Sequence, residues 1–183
     1  MGLKSKRITI GYYKWILFIL MVLSSAWLWL SGAIERFVLG LGEYGYLGAF
    51  MGGFFYSYGV TSPFAVVLFA ALGENLNTTV AAVLGGFGAM ISGYLIFKNV
   101  KESLKKPIRI NHYRIKIPKI KSKVFYILSI PLAAFIIASP LPDELAAALL
   151  GLEGFEERAF VLLSFSFNSL GLLVIMLVTK ALV

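Results

Sequence analysis

The stretch Ser139-Pro140-Leu141-Pro142-Asp143-Glu144 gathers the residues best suited to chemistry. Two carboxylates follow a double-proline break, with an apolar segment on either side. Proline has no amide hydrogen and disfavours helix at the residue before it, so the chain must bend here. A charge at membrane depth costs roughly 2.5–3.5 kcal/mol even on a lenient insertion scale, and such charges mark ion, proton or substrate pathways. In a low-dielectric cavity at least one of the two carboxyls would have a raised pKa and could take up a proton. On this reading Asp143 and Glu144 are transport or proton-coupling carboxylates, with Pro140 and Pro142 shaping their break. The other reading is local: both acids sit in the first turn of a short helix, where the dipole favours negative charge, in an aqueous loop.

A second break, Ser57-Tyr58-Gly59-Val60-Thr61-Ser62-Pro63, carries no charge. The helix start after Pro63 would offer free amides and a positive dipole end to a phosphate or carboxylate. Thr61 and Ser62 would add hydroxyl donors, and Ser139 would do the same at the other break. Two further polar residues join the candidate path. Asn168 lies inside the last apolar run near Ser164 and Ser166; it either lines the path or bonds to a neighbouring helix. Arg158 either pairs with Asp143 or Glu144 or marks the membrane interface. Glu74 is read as a solvated helix end. Asn77-Thr78-Thr79 matches a glycosylation triplet, a pattern frequent by chance.

Other chemistries lack their residues. With no cysteine, disulfides, thiolate nucleophiles and Cys-based metal sites are excluded. His112 is the single histidine, in a polar turn. No nucleophile–base pair, metal cluster, glycine-rich phosphate loop or intramembrane-protease arrangement is visible. The chain is therefore read as a non-enzyme without a cofactor.

The elements that must position these residues are apolar. Of 183 residues, 59% are hydrophobic and 14% charged, against about 45–50% and about 25% in soluble domains. A soluble fold of this size could not hide that surface, because a domain of ~150 residues buries only about 70% of what it could expose. Uncharged runs cover Trp15–Ile34, Tyr44–Gly73, Asn75–Phe97, Val124–Pro142 and Ala159–Thr179. About 20 apolar residues cross the hydrocarbon core as a helix. The first, third and fifth runs are expected to be ordinary spanning helices, the first too long for a signal peptide core. Each of the other two is broken at its Ser-Pro site into pieces too short to cross. That pattern predicts re-entrant hairpins, with unpaired backbone satisfied by protein or a watery cavity.

Both broken runs share one order: short helix, Ser-Pro break, short helix, glycine, full span. One inserted residue aligns Gly73 with Gly151 and Gly93 with Gly171, an offset of 78 residues. Paired interrupted segments in two halves point to a transporter's binding site. The expected fold is an all-α integral membrane protein: a lead transmembrane helix plus two inverted repeats, each a re-entrant hairpin and a spanning helix. As one membrane domain it divides into 1–43, basic N-terminus and lead helix; 44–97, first repeat; 98–123, basic loop; and 124–183, second repeat.

Charge placement sets the topology. Of 17 Lys and Arg, four precede Trp15 and ten lie within Lys98–Lys123. The positive-inside rule puts both segments in the cytoplasm of a multi-pass plasma-membrane protein. The second hairpin then enters from inside. If Val124–Ser139 spans instead, the acidic loop Glu153–Arg158 is external and Lys180 cytoplasmic. The basic loop is expected to contact anionic lipid head groups; nucleic acid is not expected, since the charge flanks apolar segments. Ile108–Ile117 alternates apolar and polar residues, a strand signal with Asn111-His112 as turn. Alternatively, it is a plain positive-inside loop. Ala81, Gly85, Ala89 and Gly93, with Gly45, Ala49 and Gly53, form small-residue faces for close helix packing, and they also offer a homo-oligomer contact.

Ser139-Pro140-Leu141-Pro142-Asp143-Glu144-Leu145, together with the glycine-rich Gly85-Gly86-Phe87-Gly88-Ala89-Met90-Ile91-Ser92-Gly93-Tyr94, resembles the DedA family, also called the VTT or SNARE-associated Golgi-protein family. The resemblance runs roughly from Gly45 to Thr179. It implies a membrane protein that moves phospholipids or polyprenyl-phosphate carriers between leaflets, with Asp143 and Glu144 as proton-coupling carboxylates. The family usually places its acidic proline motif in the first re-entrant element and arginines in the second. Here the first reads Thr61-Ser62-Pro63-Phe64 without an acid, and the second carries the acids. The function expected is a lipid transporter or scramblase. The alternatives are a small ion or solute exporter, or a non-transporting scaffold working through its basic loop.

Overall fold

The computed structural model describes residues 2–105, 108–110, 113–115 and 123–182. The helices are α1 (Gly2–Leu30), α2 (Ala33–Leu41), α3 (Gly45–Tyr56), α4 (Ser62–Asn75), α5 (Thr78–Lys105), α6 (Lys123–Ala138), α7 (Asp143–Glu153) and α8 (Glu157–Leu182). A single 3-10 turn, Gly42–Tyr44, joins α2 to α3. Two strands, β1 (Ile108–Ile110) and β2 (Tyr113–Ile115), pair antiparallel, with Ile108 opposite Ile115 and Arg109 opposite Arg114. The alternation in Ile108–Ile117 therefore does produce strands. The turn expected at Asn111-His112 and the rest of that loop lie outside the described residues.

α5 and α8 are long and apolar enough to cross a membrane. At 1.5 Å per residue they measure about 42 and 39 Å, more than a hydrocarbon core of about 30 Å. Each of α3, α4, α6 and α7 is shorter than that core, at roughly 16–24 Å. The outer surface is apolar: Trp15, Leu23, Trp27, Phe135, Leu162 and Leu182 are all exposed. Such a surface suits lipid and not water.

The lead run differs from its expectation as one ordinary span. α1 ends at Leu30, and the chain bends by 75° before continuing into α2 and α3. Gly32 adopts a left-handed conformation, with φ at 65°, and such a residue ends a helix. Ile34 and Val38 on α2 then bury themselves in the core.

α3 and α4 form a helical hairpin. Its open end is marked by Gly45 at the start of α3, packed on Leu76 just after α4. α6 and α7 form a second one, whose open end is marked by the Tyr126 and Phe155 rings, 6.4 Å apart. Between the hairpins run α5 and α8, antiparallel to each other. Phe97 stacks on Phe160 at 4.1 Å, Gly93 approaches Ser164, and Gly85 approaches Leu172. α3 packs on α5 and α4 on α8, while α6 packs on α8 and α7 on α5, so each hairpin touches both long helices.

Small residues make these approaches possible. A Cβ on Gly53 would collide with the Gly85 carbonyl oxygen, and one on Gly171 with the Ala138 carbonyl oxygen. Gly73 meets Met176 on α8, while its sequence counterpart Gly151 meets Leu104 on α5. Ala81, Gly85, Ala89 and Gly93 are all buried within the chain, as are Gly45, Ala49 and Gly53. The small-residue faces offered for a homo-oligomer are filled by the chain's own helices.

Candidate functional site

The two Ser-Pro breaks end their helices and then meet. α3 stops at Tyr56 and α4 resumes at Ser62, with Pro63 in its first turn, where a missing amide hydrogen costs nothing. α6 stops at Ala138 and α7 resumes at Asp143, after an extended Pro142. The tips are tied by hydrogen bonds. Ser62 Oγ donates to the Pro140 carbonyl at 3.2 Å, the Asp143 amide donates to the Ser57 carbonyl at 3.3 Å, and the Tyr56 hydroxyl donates to the Ala138 carbonyl at 3.2 Å. Gly59 packs on the Pro142 ring so closely that a Cβ there would stand 2.5 Å from it.

A polar cluster is buried where the tips meet α5 and α8. Asp143 is 1% exposed, and Ser57, Ser92, Ser164 and Asn168 are fully buried. Along α5 and α8 these residues fall between two apolar clusters, one around Ala89 and Leu172 and the other around Ile96 and Phe160. Ser57 Oγ donates to the Ala89 carbonyl at 3.0 Å, and Asn168 Nδ2 donates to Ser164 Oγ at 3.1 Å. Asp143 Oδ2 and Asn168 Oδ1 are buried without any hydrogen-bond partner among the described residues. Gly93 on α5 faces them. A Cβ on it would lie 2.9 Å from Ser164 Oγ, 3.1 Å from Asp143 Oδ2 and 3.7 Å from Ser57 Oγ.

The other candidates separate. Glu144, next to Asp143, is exposed, so the two carboxylates do not work as an enclosed pair. Pro140 is exposed and Ser139 half-buried, its hydroxyl bonded back to the Ile136 carbonyl. Thr61 Oγ1 donates to the Phe55 and Tyr58 carbonyls, closing the last turn of α3 instead of facing the cluster. The Thr61, Ser62 and Ala65 amides are likewise bonded within the turn, which removes much of the anion cradle expected after Pro63. Arg158 is exposed, and among the described residues it pairs with neither Asp143 nor Glu144. Asn77 caps α5, its Oδ1 accepting from the Thr79 and Val80 amides, a local reason for that residue in the triplet.

Ser57, Ser92 and Ser164 carry the cluster together with Asp143 and Asn168. Serines in apolar runs are common, and a serine's own carbonyl neighbours usually satisfy it. The signal for Ser164 was its one-turn spacing from Asn168. For Ser57 it was its place as first residue of the break.

At the far end of α5, Lys101 joins the α7–α8 loop to the basic loop. Its Nζ donates to the Phe155 carbonyl at 2.8 Å, lies 3.5 Å from Glu157 Oε1 and covers the Phe97 ring. α8 therefore starts at the same end where α5 finishes.

Comparison with protein-family models, curated proteins and solved structures finds no match.

Proposed function

We propose that this chain is a DedA-like membrane transporter or scramblase, moving a phospholipid or polyprenyl-phosphate lipid between leaflets, with Asp143 as its coupling carboxylate. The observation that carries the proposal is the meeting of two helix breaks around a buried carboxyl with an unpartnered oxygen. Broken half-helices meeting between two similar halves are the arrangement in which transporters hold substrate and ion. In this reading α5 and α8 span the bilayer, and the two hairpins enter it from opposite faces and stop partway. The support is geometric. Each hairpin opens and closes at one end, the tips meet beside the middle of both long helices, and those helices run antiparallel.

Topology follows from charge. Lys101 lies at the end of α5 that leads into the basic loop, which puts that end in the cytoplasm. The contact from Lys101 to Phe155 supports the same side for the Glu153–Arg158 loop, the arrangement of an inverted repeat. The N-terminus is then cytoplasmic, and the loop 98–123 lies against the anionic inner leaflet of the plasma membrane.

The test is movement of fluorescent phospholipid in liposomes containing the purified chain. Asp143→Asn is expected to abolish it while leaving helix content and elution volume unchanged. Glu144→Gln, on the outer surface, is expected to retain it. Full lipid movement by the Asp143→Asn variant would reject the proposal.

A second reading, a small ion or solute exporter, is favoured by the three oxygens that face Gly93, all within 3.7 Å of a Cβ placed there. Ion flux measured in the same liposomes separates the two.

A further inference from the structure

A carboxylate removed from water needs a partner, because burying it alone costs several kcal/mol. Asp143 is 1% exposed, and among the described residues it makes no ion pair. Its Oδ2 and the Oδ1 of Asn168 are both enclosed and unbonded. Two acceptor oxygens left open in one cluster call for something that both can accept, either a proton donor or a cation.

The composition of the cluster chooses between ligand classes. Asp143 Oδ2, Ser164 Oγ and Ser57 Oγ all lie within 3.7 Å of a Cβ placed on Gly93, with the Asn168 amide bonded to Ser164. The Ser57 carbonyl, which receives the Asp143 amide, stands at the C-terminal end of α3, the negative end of a helix dipole. Every candidate ligand is oxygen, the donor type of hard cations, and no sulfur or imidazole is present to favour a transition metal. Among the described residues no group of three acidic or histidine side chains could hold a polyvalent metal. One carboxylate balances one positive charge; a divalent ion here would leave an uncompensated charge in a low-dielectric interior. Unwound backbone and half-helix ends at the junction of two repeats are where membrane transporters bind alkali ions.

We infer that Asp143, Asn168, Ser164 and Ser57 form a binding site for a monovalent alkali cation such as Na+, held among the oxygens that face Gly93. The bound ion neutralises Asp143 and bonds the two open oxygens, locking the hairpin tips to α5 and α8. The inference deepens the transporter reading by naming its coupling ion, but its test does not depend on lipid movement. A Cβ on Gly93 would displace only the movable ends of side chains, so Gly93→Ala should fold and disturb the oxygens that hold the ion.

The experiment uses the purified full chain in detergent. Thermal unfolding is followed in NaCl, KCl and choline chloride at equal ionic strength, alongside binding of radiolabelled Na+. The wild type should bind Na+ saturably and unfold at a higher temperature in NaCl than in choline chloride. Asp143→Asn and Gly93→Ala should fold, unfold at one temperature in NaCl and choline chloride, and lose Na+ affinity by about tenfold or more. Equal unfolding temperatures for the wild type in all three salts, with no labelled Na+ bound, would overturn the site. An undiminished Na+ response in Gly93→Ala would do the same. If Na+ binds as described but no lipid moves in liposomes, the lipid reading falls and the ion site stands.

Discussion

Burying a lone carboxylate is among the most expensive things a fold can do, and Asp143 is held at 1% exposure where two helices start and stop. Its neighbour Glu144 faces outward, so one position along the chain separates an enclosed acid from a surface one. Next to Asp143 in the chain, Pro142 packs against Gly59 of the other tip. Because the Cβ of any larger residue at 59 would stand 2.5 Å from the Pro142 ring, Gly59→Val should push the tips apart. The expected cost is about 1–3 kcal/mol, read as a lower thermal unfolding temperature in detergent, together with new reactivity of a carboxyl reagent with Asp143. The acids at 143 and 144 stood out in the sequence because charge is rare in apolar runs. Their opposite orientation did not, because it depends on which side of a single turn packs against α5. Thr61 illustrates the opposite failure: a hydroxyl at a break can cap its own helix as readily as it can face a ligand.

At the scale of elements, both Ser-Pro breaks were legible, since proline's missing amide acts locally. The start of α7 was legible for the same reason, with prolines before it, but its end was not: the helix runs through Gly151 to Glu153 and stops at Gly154 in a left-handed conformation. The bend after α1 was not. Its cause is Gly32, and a single glycine in an apolar run is also compatible with a straight helix. Likewise, small-residue spacing announced close packing but did not name the partner. Those partners are backbones: the Gly53 and Gly171 positions press on the Gly85 and Ala138 carbonyls. Gly53→Ala and Gly171→Ala are each expected to lower stability by about 1–3 kcal/mol, seen as reduced unfolding temperatures. Gly40→Ala, where nothing lies within 4 Å, should leave it unchanged.

For the whole molecule, the sequence carried the class: the apolar excess required a membrane. Gly73 and Gly151, 78 residues apart, pack on α8 and α5 respectively, the arrangement that the proposed repeat would produce. The paired breaks pointed to a meeting of the two tips, but no sequence pattern named the contacts that make their convergence, such as that between residues 62 and 140. That convergence is the central claim: two hairpins stop inside the bilayer and enclose Asp143 at the middle of α5 and α8. Because the chain has no cysteine, Leu141→Cys at the exposed tip of the second hairpin can carry a single nitroxide label. Its depth in lipid nanodiscs, from relaxation by oxygen against a water-soluble nickel complex, tests the claim directly. A label near the bilayer midplane is the predicted result; a label at the head groups or in bulk water would contradict it.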